Sequence, residues 1–386
     1  MLFAKRSVSD PSSSRDLRAS QPATQSDKRQ LSAMDPTTAS VSPASISAAT
    51  RKLELFVSRR RYALLLAVVT AVITDLMLSW LYSRFGIGAD FEVFWRAARN
   101  SVPYAYSPLP FGSPPPALLL FQPLQLVPFW SGYFAWDLLG LAIFLALAAR
   151  LYGRKAALLG ALSPAVVTAL VAGQVSLVVA GLVFAAFLSD GLVCGALLGI
   201  ALCLKPQMLF LAPFLFLFRR QISPIIGLCA SAGALAVAAT FAFSPSIWSD
   251  WLGGMHNLLA VAKHRGALNL TISPMSYHPW LGVFSVPVSV YGLYLFRNLP
   301  KPEAAAAMVA TSLFAAPYAM VYDLAPLSAF AGLVVLRSSD WRSFGAALSY
   351  SAALGPFSIP LLWPSLVKDD EAGQSRRTWM APTRSA

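Results

Sequence analysis

The sequence is poor in charge. Of its 386 residues only 12% are Asp, Glu, Lys or Arg, against about 25% in an ordinary soluble chain. Acids are scarcer than bases, with 17 Asp and Glu against 30 Lys and Arg. Cysteine and histidine number three each. None of them forms a Cys-x-x-Cys or His-x-x-x-His pair, so the local patterns of a protein-built zinc site are missing, and no metal site is expected. Cys194, Cys203 and Cys229 all lie in apolar runs and read as small buried hydrophobes, not as a disulfide framework.

What the chain has in abundance is apolar surface, 56% of its residues being hydrophobic. The reading is all-α: a polytopic transmembrane helical bundle, with about 10–12 spans of roughly 20 apolar residues each. The apolar runs are 62–82, 117–149, 156–172, 175–189, 191–204, 207–218, 222–243, 279–296, 304–318, 324–336 and 343–363. Several are short. The 117–149 run is too long for one simple span, and a bend or re-entrant piece is expected near Pro123 and Pro128. A net charge of +13 would suggest nucleic acid in a soluble chain. Here the basic residues fall between apolar runs, where orientation in the bilayer is the simpler cause, and no nucleic-acid partner is expected.

Three regions follow from composition. Residues 1–55, rich in Ser, Ala, Pro and Thr, read as a disordered cytoplasmic tail, because such a segment cannot bury enough surface to offset its ordering entropy. Residues 56–364 form the membrane domain, and 365–386 a polar C-terminal tail. Basic residues before the first run, and again at Arg150-Arg154-Lys155, Arg219-Arg220, Arg297-Lys301 and Arg337-Arg342, mark alternate turns as cytoplasmic. The expected location is a plasma (inner) membrane, with membrane lipids as partners.

On that topology the unusual polar residues converge on the outer face: Asp90 and Glu92 after the first run, Gly173-Gln174, Lys205-Pro206-Gln207, a 244–274 segment carrying Lys263, His264 and Arg265, and Tyr322-Asp323. A carboxylate beside a bilayer is costly unless paired, hydrated or used. Each residue carries a plainer reading beside the functional one. Asp90 also reads as a structural anion paired with Arg84 or Arg96, and Glu92 as a solvated acid. Lys205 reads equally as a snorkelling lysine and as an anion binder. Gln174 reads as a helix-packing hydrogen-bonder, Asp323 as a helix N-cap, and His264 as a surface residue. Trp248 and Trp251 suit an interfacial belt or amphipathic helix.

Four segments, in order, carry a resemblance. They are Asp90-Phe91-x-x-Phe94-Trp95-x-Ala97-Ala98, the Tyr106–Pro123 stretch through Pro114-Pro115-Pro116, Gly173-Gln174-Val175-Ser176, and Gly199 to Lys205-Pro206-Gln207. Tyr322-Asp323-Leu324 also fits. Over roughly residues 60–340 the chain resembles glycosyltransferase family 87, membrane enzymes of the GT-C type. The departure is Phe94-Trp95, where tyrosines are more usual.

The resemblance implies transfer of a sugar, mannose in the best-known relatives, from a polyprenyl-phosphate donor to a lipid or glycan acceptor on the extracytoplasmic side. It makes Asp90 the base of an inverting transfer. Such chemistry needs one carboxylate to take the acceptor proton and cations to meet the leaving phosphate. Lys205 comes first among these, then Lys263, His264 and Arg265. Glu92, Gln174, Gln207, Tyr322 and Asp323 complete the substrate-binding candidates. A monophosphate donor implies no cofactor. The competing class is a non-enzymatic transporter or flippase of lipid-linked sugar, for which inverted repeats and mid-span charges would be the signature. Neither is evident.

Overall fold

A computed structural model describes residues 72, 76, 86–100, 103–105, 111–264, 272–337, 345–347, 349–350 and 359–366. The chain divides into two units, Met1–Glu54 and Leu55–Ala386, and every described residue belongs to the second. The fold is all-α, with no β-strand among the described residues. The apolar run at 62–82, apart from residues 72 and 76, and about half of that at 343–363 lie outside the described residues.

The first described helix, α1 (Ala89–Arg99), is short and amphipathic. Next comes α2 (Pro115–Phe121), set up by Pro at its first turn, and a 3-10 segment at Gln122–Leu126. Then α3 (Phe129–Tyr152) begins directly after Pro128. The expected break in the 117–149 run therefore falls at Pro123 and Pro128, which cannot donate to a continuing helix. A bent pair follows: α4 (Arg154–Ala161) and α5 (Pro164–Ala172), meeting at 57°. The middle of the chain forms α6 (Ser176–Leu188), α7 (Gly191–Leu204), α8 (Ala212–Phe218), α9 (Ile222–Phe243) and α10 (Ile247–His264). A single helical turn at Pro274–Tyr277 precedes α11 (Gly282–Leu295), α12 (Lys301–Ala315) and α13 (Ala325–Arg337).

Among the described residues three helical stretches are long and apolar enough to cross a bilayer: α3, α9 and Pro279–Asn298, which contains α11. The bent α4–α5 pair makes a fourth if it acts as one span. These long helices turn large apolar side chains outward, among them Phe134, Leu138, Phe241 and Val283. Apolar area of this kind is stable against lipid and costly against water.

Against the expected 10–12 spans, the described residues hold three helices of spanning length, or four with the bent pair. The runs at 175–189, 191–204, 304–318 and 324–336 become α6, α7, α12 and α13, of 13, 14, 15 and 13 residues. At 1.5 Å per residue they reach about 20–22 Å, short of a core about 30 Å thick. The physical reason is visible in their burial. Ala304 to Ala307 of α12 and Ala325, Leu327 and Ala329 of α13 are sealed inside the protein. An apolar run reads the same whether lipid or protein covers it.

Small residues let these helices approach closely. A Cβ on Gly195 of α7 would lie 1.9 Å from the carbonyl oxygen of Pro224 in α9, so nothing larger than glycine fits there. The Ser231 hydroxyl of α9 donates across the same contact to the Ala196 carbonyl at 3.0 Å. This pairing holds α7, which ends at Lys205, against α9.

Candidate active site

Four chain turns meet at one end of the bundle. The first is the start of α1. Its N-cap Gly88 donates its N–H to the Val171 carbonyl of α5 at 2.8 Å, which ties α1 to the end of α5. The second is the turn that closes α5. Gly173 has φ +71, and the Gln174 N–H returns to the Ala169 carbonyl at 2.8 Å, satisfying a terminal helix carbonyl. Glycine is required at 173 twice over: any other residue would strain that φ, and its Cβ would meet the Cβ of Phe91 at 2.5 Å. This close approach seats Gln174 against α1.

Asp90 lies in the first turn of α1 and is partly exposed. Gln174 Nε2 donates to its Oδ2 at 2.7 Å. Among the described residues no other hydrogen bond to the Asp90 carboxylate is seen. Burial around it raises the Asp90 pKa above the ordinary carboxylate value. The Gln174 hydrogen bond and the charge of Lys205 oppose that rise, and Asp323 adds to it.

Beneath this carboxylate lies a buried ionic cluster. Lys205, where α7 ends, is 5% exposed and Asp323 is 0% exposed. Lys205 Nζ forms an ion pair with Asp323 Oδ1 and donates to Ser176 Oγ at 2.8 Å. Ser176 opens α6, and its hydroxyl reaches Asp323 Oδ1 at 3.4 Å. The second oxygen of Asp323 accepts the Met320 N–H at 3.0 Å. Asp323 therefore caps the 3-10 turn Val321–Leu324 and holds the lysine at once. The Tyr322 ring lies 4.4 Å from Lys205 Nζ, a cation–π contact. Burial, with Asp90 and Asp323 near, pushes the Tyr322 phenol well above its usual pKa, so it keeps its proton.

Of the sequence candidates, Asp90, Gln174, Lys205, Tyr322 and Asp323 come together here. Gln207 is buried in the 3-10 turn Pro206–Met208 directly after Lys205. Glu92 stands apart. It pairs with Arg96 one helical turn along α1, both side chains being 43% exposed. The ion pair seen for Arg96 is thus with Glu92; Arg84, the other cation considered for Asp90, lies outside the described residues. Lys263 and His264 end the backbone of α10, and their side chains lie outside what is described, as does Arg265 entirely. Trp248 donates to Thr240 Oγ1 at 2.8 Å, and Trp251 to the Gly112 carbonyl at 3.3 Å, so both anchor α10 to the bundle.

Sequence reasoning passed over Ser176 as a site residue, although its Gly-Gln-Val-Ser turn stood out. It also passed over Asp137, a half-buried acid inside α3, because the run around it is otherwise apolar.

An all-helical membrane protein with a partly exposed carboxylate set over a buried lysine–aspartate pair defines a class rather than an identity. The family model of glycosyltransferase family 87 matches residues 111–336, and the chain belongs to that family. It is accordingly a membrane glycosyltransferase. The matched range begins after the Asp90 segment. No curated protein and no solved structure matches the chain.

Proposed function

We propose that the protein transfers a sugar, mannose as the first candidate, from a polyprenyl-phosphate donor to a lipid or glycan hydroxyl, with inversion and with Asp90 as base. The observation that carries this reading is the Asp90–Gln174 arrangement. One carboxylate oxygen accepts from the Gln174 amide, and the residue is partly exposed. A positioned carboxylate within hydrogen-bond reach of an attacking hydroxyl is what general-base catalysis requires.

In the proposed step the acceptor hydroxyl gives its proton to Asp90 Oδ1 as its oxygen bonds to the anomeric carbon. The bond from that carbon to the phosphate oxygen breaks, and the electron pair leaves with the polyprenyl phosphate. The raised pKa makes Asp90 a better proton acceptor than a solvated carboxylate. Lys205 supports the step from below, as a positive charge fixed by Asp323 and Ser176. Lys263, His264 and Arg265 are the proposed contacts to the leaving phosphate, with Gln207 and Tyr322 lining the sugar side. The reaction is proposed to lie on the extracytoplasmic face of the inner membrane and to need no metal, since a monophosphate leaving group can be met by side-chain cations.

The test is transfer from radiolabelled polyprenyl-phosphate-mannose to a host lipid extract by protein in nanodiscs, with EDTA present and Asp90→Asn in parallel. Product formed by the native chain alone supports the reading. Transfer retained by folded Asp90→Asn rules out Asp90 as base. Failure with every polyprenyl-phosphate sugar, together with sugar-lipid movement across proteoliposomes, favours the transporter class instead.

A further inference from the structure

A second polar feature lies at the opposite end of the same helices. The turn from α8 to α9 carries Arg219, Arg220 and Gln221, and the turn from α11 to α12 carries Arg297 and Asn298. Together with Tyr294 they line a cavity of about 780 Å³ with three arginines and no acid in its wall. Helix α12 runs from this end toward the Tyr322-Asp323 turn, and its 15 residues separate the two by about 22 Å. The cavity is therefore distinct from the Asp90 cluster.

The arginines are held but not spent. Arg219 Nε donates to the Arg297 carbonyl at 2.7 Å and its Nη2 to the Leu299 carbonyl at 2.6 Å, which fastens the two turns together. Arg297 Nη1 donates to the Tyr294 carbonyl at 2.7 Å, and the guanidinium stacks 4.0 Å from the Tyr294 ring. The guanidinium of Arg220 has no partner among the described residues. Its backbone sits at φ +56, in the left-handed region where a helix end usually places glycine. An arginine in a glycine position, in the wall of a basic cavity, is a local cost without a local return.

We propose that this cavity binds a phosphate oxyanion. Guanidinium forks match phosphate geometry, and basic pockets between membrane helices suit anionic headgroups. The same chemistry is offered by a phospholipid headgroup and by soluble phosphate. The proposal is independent of the sugar-transfer reading.

The full chain is purified in detergent, and retained lipid is counted by native mass spectrometry after exchange into phosphatidylglycerol or phosphatidylcholine. Inorganic phosphate is titrated as competitor. Retention of phosphatidylglycerol over phosphatidylcholine is expected, falling about fivefold for each arginine removed in Arg220→Gly and Arg297→Gln. Arg219 is left intact because it fastens the turns. Displacement by millimolar inorganic phosphate identifies the soluble anion as ligand, and resistance to it identifies the headgroup. Arg220→Gly relieves the left-handed residue, so its melting temperature should hold, and it carries the test if the double variant unfolds. Equal retention of both lipids with no response to phosphate, or anion binding unchanged in folded Arg220→Gly, overturns the proposal.

Discussion

Gln174 and Asp90 stand 84 residues apart in the chain and meet through a 2.7 Å hydrogen bond from Nε2 to Oδ2. The amide stabilises the charged form of the carboxylate, while burial works against it. The balance of the two sets the pH at which Asp90 can act.

That balance predicts a pH profile. A base must be deprotonated, so kcat/KM should rise with pH as Asp90 loses its proton, with the acid limb above the ordinary carboxylate value of 3.8. Replacing Gln174 by Leu removes a group that lowers this pKa, so the limb should move to higher pH. A limb that stays put in Gln174→Leu would mean that another group titrates. The stability sign follows from the same shift. Because the folded pKa is raised, the contribution from Asp90 is fully present below about 3.8 and is lost as pH rises through the folded value. Chemical denaturation in detergent across that range measures it.

Asp90→Asn keeps the shape of the side chain and the possibility of a bond to Gln174, and it removes the base. The loss of transfer should be about 10²–10⁴-fold, with little change in melting temperature. By contrast, Glu92→Gln should leave transfer nearly unchanged. Its ion pair with Arg96 is 43% exposed on both sides, and after solvent screening it is worth about 0–0.5 kcal/mol. A strong loss of activity in Glu92→Gln would show that the two acids act together.

Gly173→Ala should damage the site without touching a polar group. The left-handed backbone costs about 1–3 kcal/mol for a residue with a Cβ, and that Cβ meets Phe91 at 2.5 Å. Helix α1 must shift, and Asp90 shifts with it. A lowered melting temperature together with a reduced kcat is the expected result. A normal kcat would mean that the turn does not set the position of Asp90.

Much of this site was legible in the sequence because rare residues stand out in an apolar background. Asp90, Gln174, Lys205 and Asp323 were each conspicuous, and membrane topology suggested that they share a face. Their pairing was not legible. Nothing local says that Lys205 binds an aspartate 118 residues away rather than a passing phosphate. The proline breaks at 123 and 128 were readable, since a missing N–H is a property of the residue itself. Which apolar runs form long helices was not. Helices such as α12 are apolar because protein surrounds them, and hydropathy cannot tell that cover from lipid.

The Lys205–Asp323 pair offers the sharpest division between scaffold and chemistry. Both side chains are almost wholly enclosed, so removing either partner leaves a charge without compensation. Lys205→Met or Asp323→Asn alone should cost about 3–5 kcal/mol. The double variant Lys205→Met/Asp323→Leu removes both charges and should recover most of that stability, since an apolar pair of similar volume avoids the desolvation penalty. Activity should not follow. The double variant loses the positive charge that supports the step, and because the two charges act on Asp90 in opposite directions with Lys205 the larger, more of the base is protonated at a given pH. The double variant should melt near the native temperature, transfer sugar slowly, and show its acid limb at higher pH. Recovery of stability and activity together would reduce the pair to a structural brace.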